Sequence, residues 1–161
     1  QTYFDQISFE GKKGMKATYW NNPDREGNSV ASQQILNPIK MTTAGQHEFA
    51  SGVKLEGFSA KFETEFTAPK SDTLVFKTGV TGAFESLVNG KSVAKYNNWR
   101  TVPSNIPLIV EGGKKYKIEI LYAQSENWQA NLEFDFGKGF DIVQTDWMAL
   151  WYGFKNNYFK K

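Results

Sequence analysis

Most of the chain alternates apolar and polar residues with a period of two, as a strand does when one face is buried and the other is wet. In FSAKFETEF, Phe58, Ala60, Phe62, Thr64 and Phe66 share one face, while Ser59, Lys61, Glu63 and Glu65 share the other. YKIEILYA sets Tyr116, Ile118, Ile120 and Tyr122 opposite Lys117, Glu119 and Leu121. NLEFDF turns Leu132, Phe134 and Phe136 inward and Asn131, Glu133 and Asp135 outward. Further strands are expected at 15–20, 73–78, 84–88, 91–96 and 106–110. Turn chemistry separates them at Asn22-Pro23-Asp24, 68–72, Asn89-Gly90 and Glu111-Gly112-Gly113. Asn89-Gly90 is the strongest hairpin signal, because both residues tolerate positive φ. Residues 21–57 are rich in glycine and proline and predict loops. Many strands with short turns and no intervening helix predict an all-β antiparallel sandwich or barrel, assigned to residues 1–139.

The last stretch, DIVQTDWMALWYGFKNNYFKK, changes period. Trp147, Leu150, Trp151, Phe154 and Tyr158 fall at helical spacing, so residues 140–161 predict an aromatic-rich tail packed on the sandwich, with a short terminal helix. Gly153 weakens that helix. An interface for a partner domain, or a segment outside the fold, is the alternative reading of the tail.

Composition narrows the chemistry. A chain of 161 residues suits one domain with its own core. The 19 basic and 17 acidic residues leave a net charge of +2, which selects neither nucleic acid nor an anionic membrane. No apolar run reaches the ~18 residues of a membrane span. The start at Gln1, without methionine, suits a processed or excised product. With no cysteine, disulfides, thiol catalysis and cysteine–zinc sites are excluded together. Aromatics make up 16% of the chain, a level common in sugar- or peptide-binding β domains and in well-packed sandwiches alike.

Catalytic constellations are hard to build from these residues. His47, the only histidine, has no triad or metal-ligand pattern around it. Glu63 and Glu65 lie about 6.5–7 Å apart on one strand face, near the lower limit of an inverting glycosidase pair. Their face also carries Lys61, and Lys117-Glu119 or Glu133-Asp135 is expected on neighbouring strands, so they read as a charge-laced solvent face. The TDW segment at 145–147 resembles a glycosidase nucleophile only by three residues, and it is set aside. What remains are aromatic–amide groups: YNNWR at 96–100, SENWQ at 125–129 and YWNNPDR at 19–25. Sugar rings present C–H faces that stack on aromatic rings, and hydroxyl edges that need donors and acceptors together. Trp99, Asn97, Asn98, Arg100 and Tyr96 form the first candidate loop site, with Trp128 and Asn127 second. The competing reading is that Asn caps turns and Trp plugs the end of the core.

The order of motifs adds to this. Gly14–Trp20, then Phe58–Pro69, then Leu87–Trp99 with its Asn-Gly-Lys hairpin, then Gly113–Ala123 resembles the N-terminal module of anthrax protective antigen. That module recurs in yeast flocculins and as an insert in glycoside hydrolase family 3 β-glucosidases, and the likeness spans roughly residues 14–136. It implies a β-sandwich that is not itself an enzyme: a carbohydrate-binding accessory module of a family 3 β-glucosidase or β-xylosidase, shaping substrate recognition. The implied partners are an oligosaccharide or glycoside and an adjoining catalytic domain, with no nucleic acid and no membrane, in an extracellular or periplasmic setting. Flocculin-type members hold calcium with an Asp-Asp pair before the hairpin. Thr81-Gly82 stands there in this sequence, so no metal or other cofactor is expected. The alternative is a structural docking domain that binds no free sugar.

Overall fold

Among the described residues, the two-residue alternation is realised in ten strands. They are β1 (Ser8–Phe9), β2 (Lys12–Lys13), β3 (Met15–Trp20), β4 (Ala31–Ile35), β5 (Ile39–Thr42), β6 (Phe58–Thr67), β7 (Asp72–Val88), β8 (Lys91–Val110), β9 (Lys115–Gln124) and β10 (Asn131–Lys138). The computed structural model describes residues 7–36, 38–124 and 129–138. Asn127, Trp128, the boundary at 139 and the 140–161 tail with its expected helix lie outside the described residues.

All pairings are antiparallel, and the main path runs β2-β1-β6-β9-β7-β10-β5, with β3 and β4 beside β6 and β8 beside β7. The sheet curls onto itself. Strands β6 and β10 are not neighbours in it, yet Phe66 and Phe136 meet edge-to-face with ring centroids 5.5 Å apart. The inward residues expected from the sequence close this core: Phe58, Phe62, Ile118, Ile120, Tyr122, Leu132, Phe134 and Phe136 are all essentially inaccessible. One end is plugged by Phe49 from the 43–57 loop, stacked on Tyr122 at 5.7 Å and set edge-on to Phe58 at 4.8 Å.

Two sequence expectations change. The segments 73–78 and 84–88 are one continuous strand, β7, and 91–96 and 106–110 are the two ends of another, β8. The Asn89-Gly90 hairpin joins them as expected, with positive φ at both residues and Val88 opposite Lys91. Residues 21–57 hold two short strands, β4 and β5, besides their loops. Pro103 and Pro107 are accommodated because, among the described residues, β8 pairs with β7 alone. Proline lacks an N–H, so its nitrogen side must face away from the ladder, as an edge strand permits.

Ser86 is fully buried on the core side of β7, and its hydroxyl has no hydrogen-bond partner among the described residues. An unsatisfied buried hydroxyl costs about 1–3 kcal/mol. At roughly 2–4 °C per kcal/mol, Ser86→Ala is therefore expected to raise the melting temperature by roughly 2–12 °C. A drop in a thermal melt would show instead that the hydroxyl is bonded in solution.

Candidate functional site

The segment YNNWR does not form the loop that its composition suggested. Tyr96, Asn97, Asn98, Trp99 and Arg100 all lie within β8. Strand alternation then sends them to different places. Tyr96 turns inward, stacks on Phe84 at 5.7 Å and 13°, and shares a hydrogen bond with Ser104 Oγ at 2.9 Å. Asn98 donates from Nδ2 to the Val80 carbonyl at 3.3 Å. Both are structural. Asn97, opposite Ala83 on the other face, is exposed and its amide makes no hydrogen bond among the described residues.

Trp99 and Arg100 owe their position to a bulge. Val80 faces Val102 and Gly82 faces Asn98, so Trp99, Arg100 and Thr101 stand opposite Thr81 alone. Bulges re-aim side chains, and here the indole is 72% exposed. The Arg100 guanidinium lies 5.6 Å from the centre of the Trp99 ring. The bulge is pinned from beneath. Thr101 and Thr81 share a hydrogen bond between their hydroxyls at 2.6 Å, and Asn131 Nδ2 donates to Thr81 Oγ1 at 3.3 Å. Thr42 Oγ1 in turn donates to Asn131 Oδ1.

Within the YWNNPDR group, Trp20, Asn21 and Asn22 are scaffolding. Trp20 Nε1 donates to the Gly27 carbonyl at 3.1 Å, and the Asn21 side chain ties the loop to Gly52 and Lys54. Asn22 Oδ1 accepts from the backbone N–H of Asp24 and Glu26, at 3.1 and 3.0 Å, while its Nδ2 donates to the Glu26 carbonyl. These bonds close residues 22–27 into a tight loop. Arg25 stands at its crest with a φ of 55°, its backbone N–H donating to Ser59 Oγ at 3.1 Å.

Between that loop and β8 runs a cleft of about 370 Å³, within the usual range for a small-ligand site. Ala83 and Ala123, directly opposite each other on β7 and β9, form its floor. Arg25 closes one end, Asn97 and Lys95 the other, and Glu85 and Leu121 border one side. Arg25 Nη1 reaches the Tyr122 carbonyl at 3.4 Å. Burial draws the Arg25 pKa downward, and Asp24 and Glu85 oppose that shift. Composition alone did not single out Arg25; its signal lay in the Asn22-Pro23-Asp24 turn that shapes its loop.

Glu63 and Glu65 are confirmed as part of a charged outer face. Glu63 lies directly opposite Glu119, and Lys61 reaches these two carboxylates at 3.7 and 3.4 Å. Lys117 reaches the same pair at 3.7 and 4.0 Å, and Lys115 pairs with Glu65 at 3.8 Å. His47 sits exposed in the 43–57 loop. At the position where flocculin-type members carry Asp-Asp, Thr81 and Gly82 are buried in β7. Among the described residues, no group of three His, Cys, Asp or Glu side chains is placed to hold a metal ion. No described helix is long and apolar enough to cross a membrane.

The fold is thus that of a curled antiparallel β module with an aromatic platform on an edge strand and a polar cleft beside it. Residues 11–156 match the PA14 domain model, and the chain belongs to that family. Over 145 residues it is 36% identical to a xylan 1,4-beta-xylosidase of Xylanibacter ruminicola, covering 90% of this chain but only 17% of the relative. Among solved structures, the fold is similar to a beta-glucosidase from Kluyveromyces marxianus in complex with glucose. That likeness has a TM-score of 0.65 at 12% identity, over 89% of this chain and 18% of that one. It is also similar to the Epithelial Adhesin 9 A domain of Candida glabrata in complex with Galb1-3GlcNAc, at a TM-score of 0.55 and 10% identity, over 80% of each chain.

Proposed function

We propose that the chain is a non-catalytic, carbohydrate-binding accessory module of a glycoside hydrolase of the family 3 β-glucosidase or β-xylosidase type, working outside the cytoplasm. The observation that carries this reading is the xylosidase likeness. It extends over nearly all of this chain and a small fraction of the relative, as expected of a module within a larger hydrolase. The sugar-bound adhesin domain supports sugar recognition on the same fold.

The bulge-borne Trp99, with Arg100 against its ring and the unpaired amide of Asn97 on the same strand, is the proposed sugar-contacting surface. Trp128 and Asn127 remain a second proposed contact. Aromatic stacking on the scale of about 1–3 kcal/mol per ring, added to hydrogen bonds from neighbouring amide and guanidinium groups, is expected to give weak affinities on the order of millimolar to tens of micromolar. Titration of the protein with neutral xylo- and cello-oligosaccharides, followed by tryptophan fluorescence or NMR, tests this. Saturable, calcium-independent shifts are expected, weakened roughly tenfold or more in Trp99→Ala.

A second reading has its own observation. Val93, Trp99, Val102 and Ile109 are large apolar side chains exposed along β8. A docking domain that packs this strand against an adjoining catalytic domain would leave them so. No shift at tens of millimolar sugar would favour docking and end the sugar-binding reading.

A further inference from the structure

We propose that the cleft between the 22–27 loop and β8 is a subsite for a carboxylate-bearing sugar unit, a uronosyl residue, held between Arg25 and Lys95. The proposal rests on the sugar-binding reading above and adds to it a second site and the chemistry of its ligand.

The trough is built by register. Asn97, Ala83, Ala123 and Ser59 lie side by side across β8, β7, β9 and β6. Three strand spacings of about 4.8 Å make this row about 14 Å long. Its two middle positions are alanine, so the backbone lies open there. The next row on the same face carries Lys95, Glu85 and Leu121 and rises above that floor. Arg25, held over Ser59 by the closed loop, forms the far wall.

The polar groups around the trough have capacity to spare. An arginine has five N–H donors, and among the described residues only the Arg25 Nη1 contact with the Tyr122 carbonyl uses one. Lys95 forms no ion pair among the described residues, and neither does Glu85. Asp24 and Glu85 act on the half-buried Arg25 guanidinium from beyond ion-pair distance and occupy none of its N–H groups among the described residues, so a carboxylate can still bind it directly. Its planar fork matches a carboxylate with two parallel hydrogen bonds. The remaining edges suit hydroxyls, with Glu85 as acceptor and Asn97 as both donor and acceptor. The Leu121 side chain lies along the rim for a C–H face. Glu85 and Asp24 balance the charge of Arg25 and Lys95, so the preference for a carboxylate rests on the unused guanidinium donors and not on net charge.

The test compares a neutral xylo-oligosaccharide with one of equal length bearing a glucuronosyl branch, by calorimetry and NMR on the whole chain. Wild type is expected to bind the acidic ligand about tenfold more tightly at low salt, an advantage reduced by added salt. Arg25→Asn, which suits the left-handed backbone at 25, is expected to remove the preference and leave neutral-sugar affinity unchanged. Lys95→Gln, on an exposed strand position, is expected to reduce it. Trp99→Ala is expected to weaken both ligands and keep the preference. Equal binding of the two ligands by wild type, or a preference that survives both cleft variants, overturns the subsite while sugar binding stands. Binding of neither ligand overturns the sugar-binding reading and the subsite with it.

Discussion

Gly82→Ala is expected to lower the melting temperature by on the order of 10 °C, a consequence of where β7 passes Tyr122. The backbone at 82 has a φ of 124°, a region that side-chain-bearing residues rarely enter. A Cβ added there would stand 2.7 Å from the Tyr122 hydroxyl and 2.9 Å from the Ala123 carbonyl oxygen. The tyrosine cannot simply swing aside, because its ring is buried and its hydroxyl donates to the Thr81 carbonyl. Backbone strain of about 1–3 kcal/mol and overpacking of about 1–3 kcal/mol then act together. At this chain length each kcal/mol corresponds to roughly 2–4 °C. Tyr122→Phe removes the nearest obstructing atom but not the Ala123 carbonyl. The double variant is therefore expected to be more stable than the sum of the two single effects predicts. Strict additivity in that cycle would show that the hydroxyl is not what excludes a side chain.

The same geometry bears on calcium. Aspartates at 81 and 82, the pair expected in flocculin-type members, would place one carboxylate against Tyr122. The other would replace the buried hydroxyl that bonds Thr101 and Asn131. The paired substitution is expected to unfold the module rather than confer calcium affinity. A calcium-dependent rise in melting temperature of that variant would contradict this account.

How much of this was legible in the sequence depended on whether a residue's role was local. The alternation in 58–66, 116–122 and 132–136 reports burial directly, and those inward sets are the core. Asn89-Gly90 reports a local backbone need, and the hairpin is there. Strand ends were less legible. Gly79, Gly82, Pro103 and Pro107 look like breaks, but an edge position and a close approach to Tyr122 accommodate them inside β7 and β8. The candidate site suffered from the same confusion. Two amides between aromatic rings look like a loop, whereas strand alternation and one bulge separate Tyr96 and Asn98 from Asn97 and Trp99. Arg25 was hidden because its position depends on Ser59, 34 residues away in sequence. No window around Asp24 and Arg25 contains that partner. Family likeness points to a module and an activity class; it does not reveal which face of β8 a side chain takes.

Stability is expected to fall steeply above pH 10, and buried phenols are the cause. Tyr19 is fully enclosed by the core, and burial pushes its pKa up to about 12, against a smaller downward effect of the hydrogen bond from Gln33. Gln33 Nε2 donates to that hydroxyl at 2.7 Å, an arrangement that does not remove the cost of burying a phenolate. Burial raises the Tyr122 pKa as well, opposed by a weaker hydrogen-bond contribution from the Asn131 backbone. Unfolded, both phenols titrate near pH 10. Because the folded values lie above the unfolded ones, the unfolded chain releases these protons first. Their contribution is complete below pH 10 and is lost as the pH rises toward 12. For Tyr19 alone the difference is on the order of 2–3 kcal/mol at about 1.4 kcal/mol per pH unit. Urea unfolding at pH 8, 10 and 11 is expected to show the decline, with phenolate absorbance from these two residues appearing only with unfolding. Tyr19→Phe is expected to be less stable than wild type at pH 8, where the bond with Gln33 is lost, yet to decline less between pH 10 and 11. Parallel declines in the two proteins would move the alkaline weakness away from Tyr19.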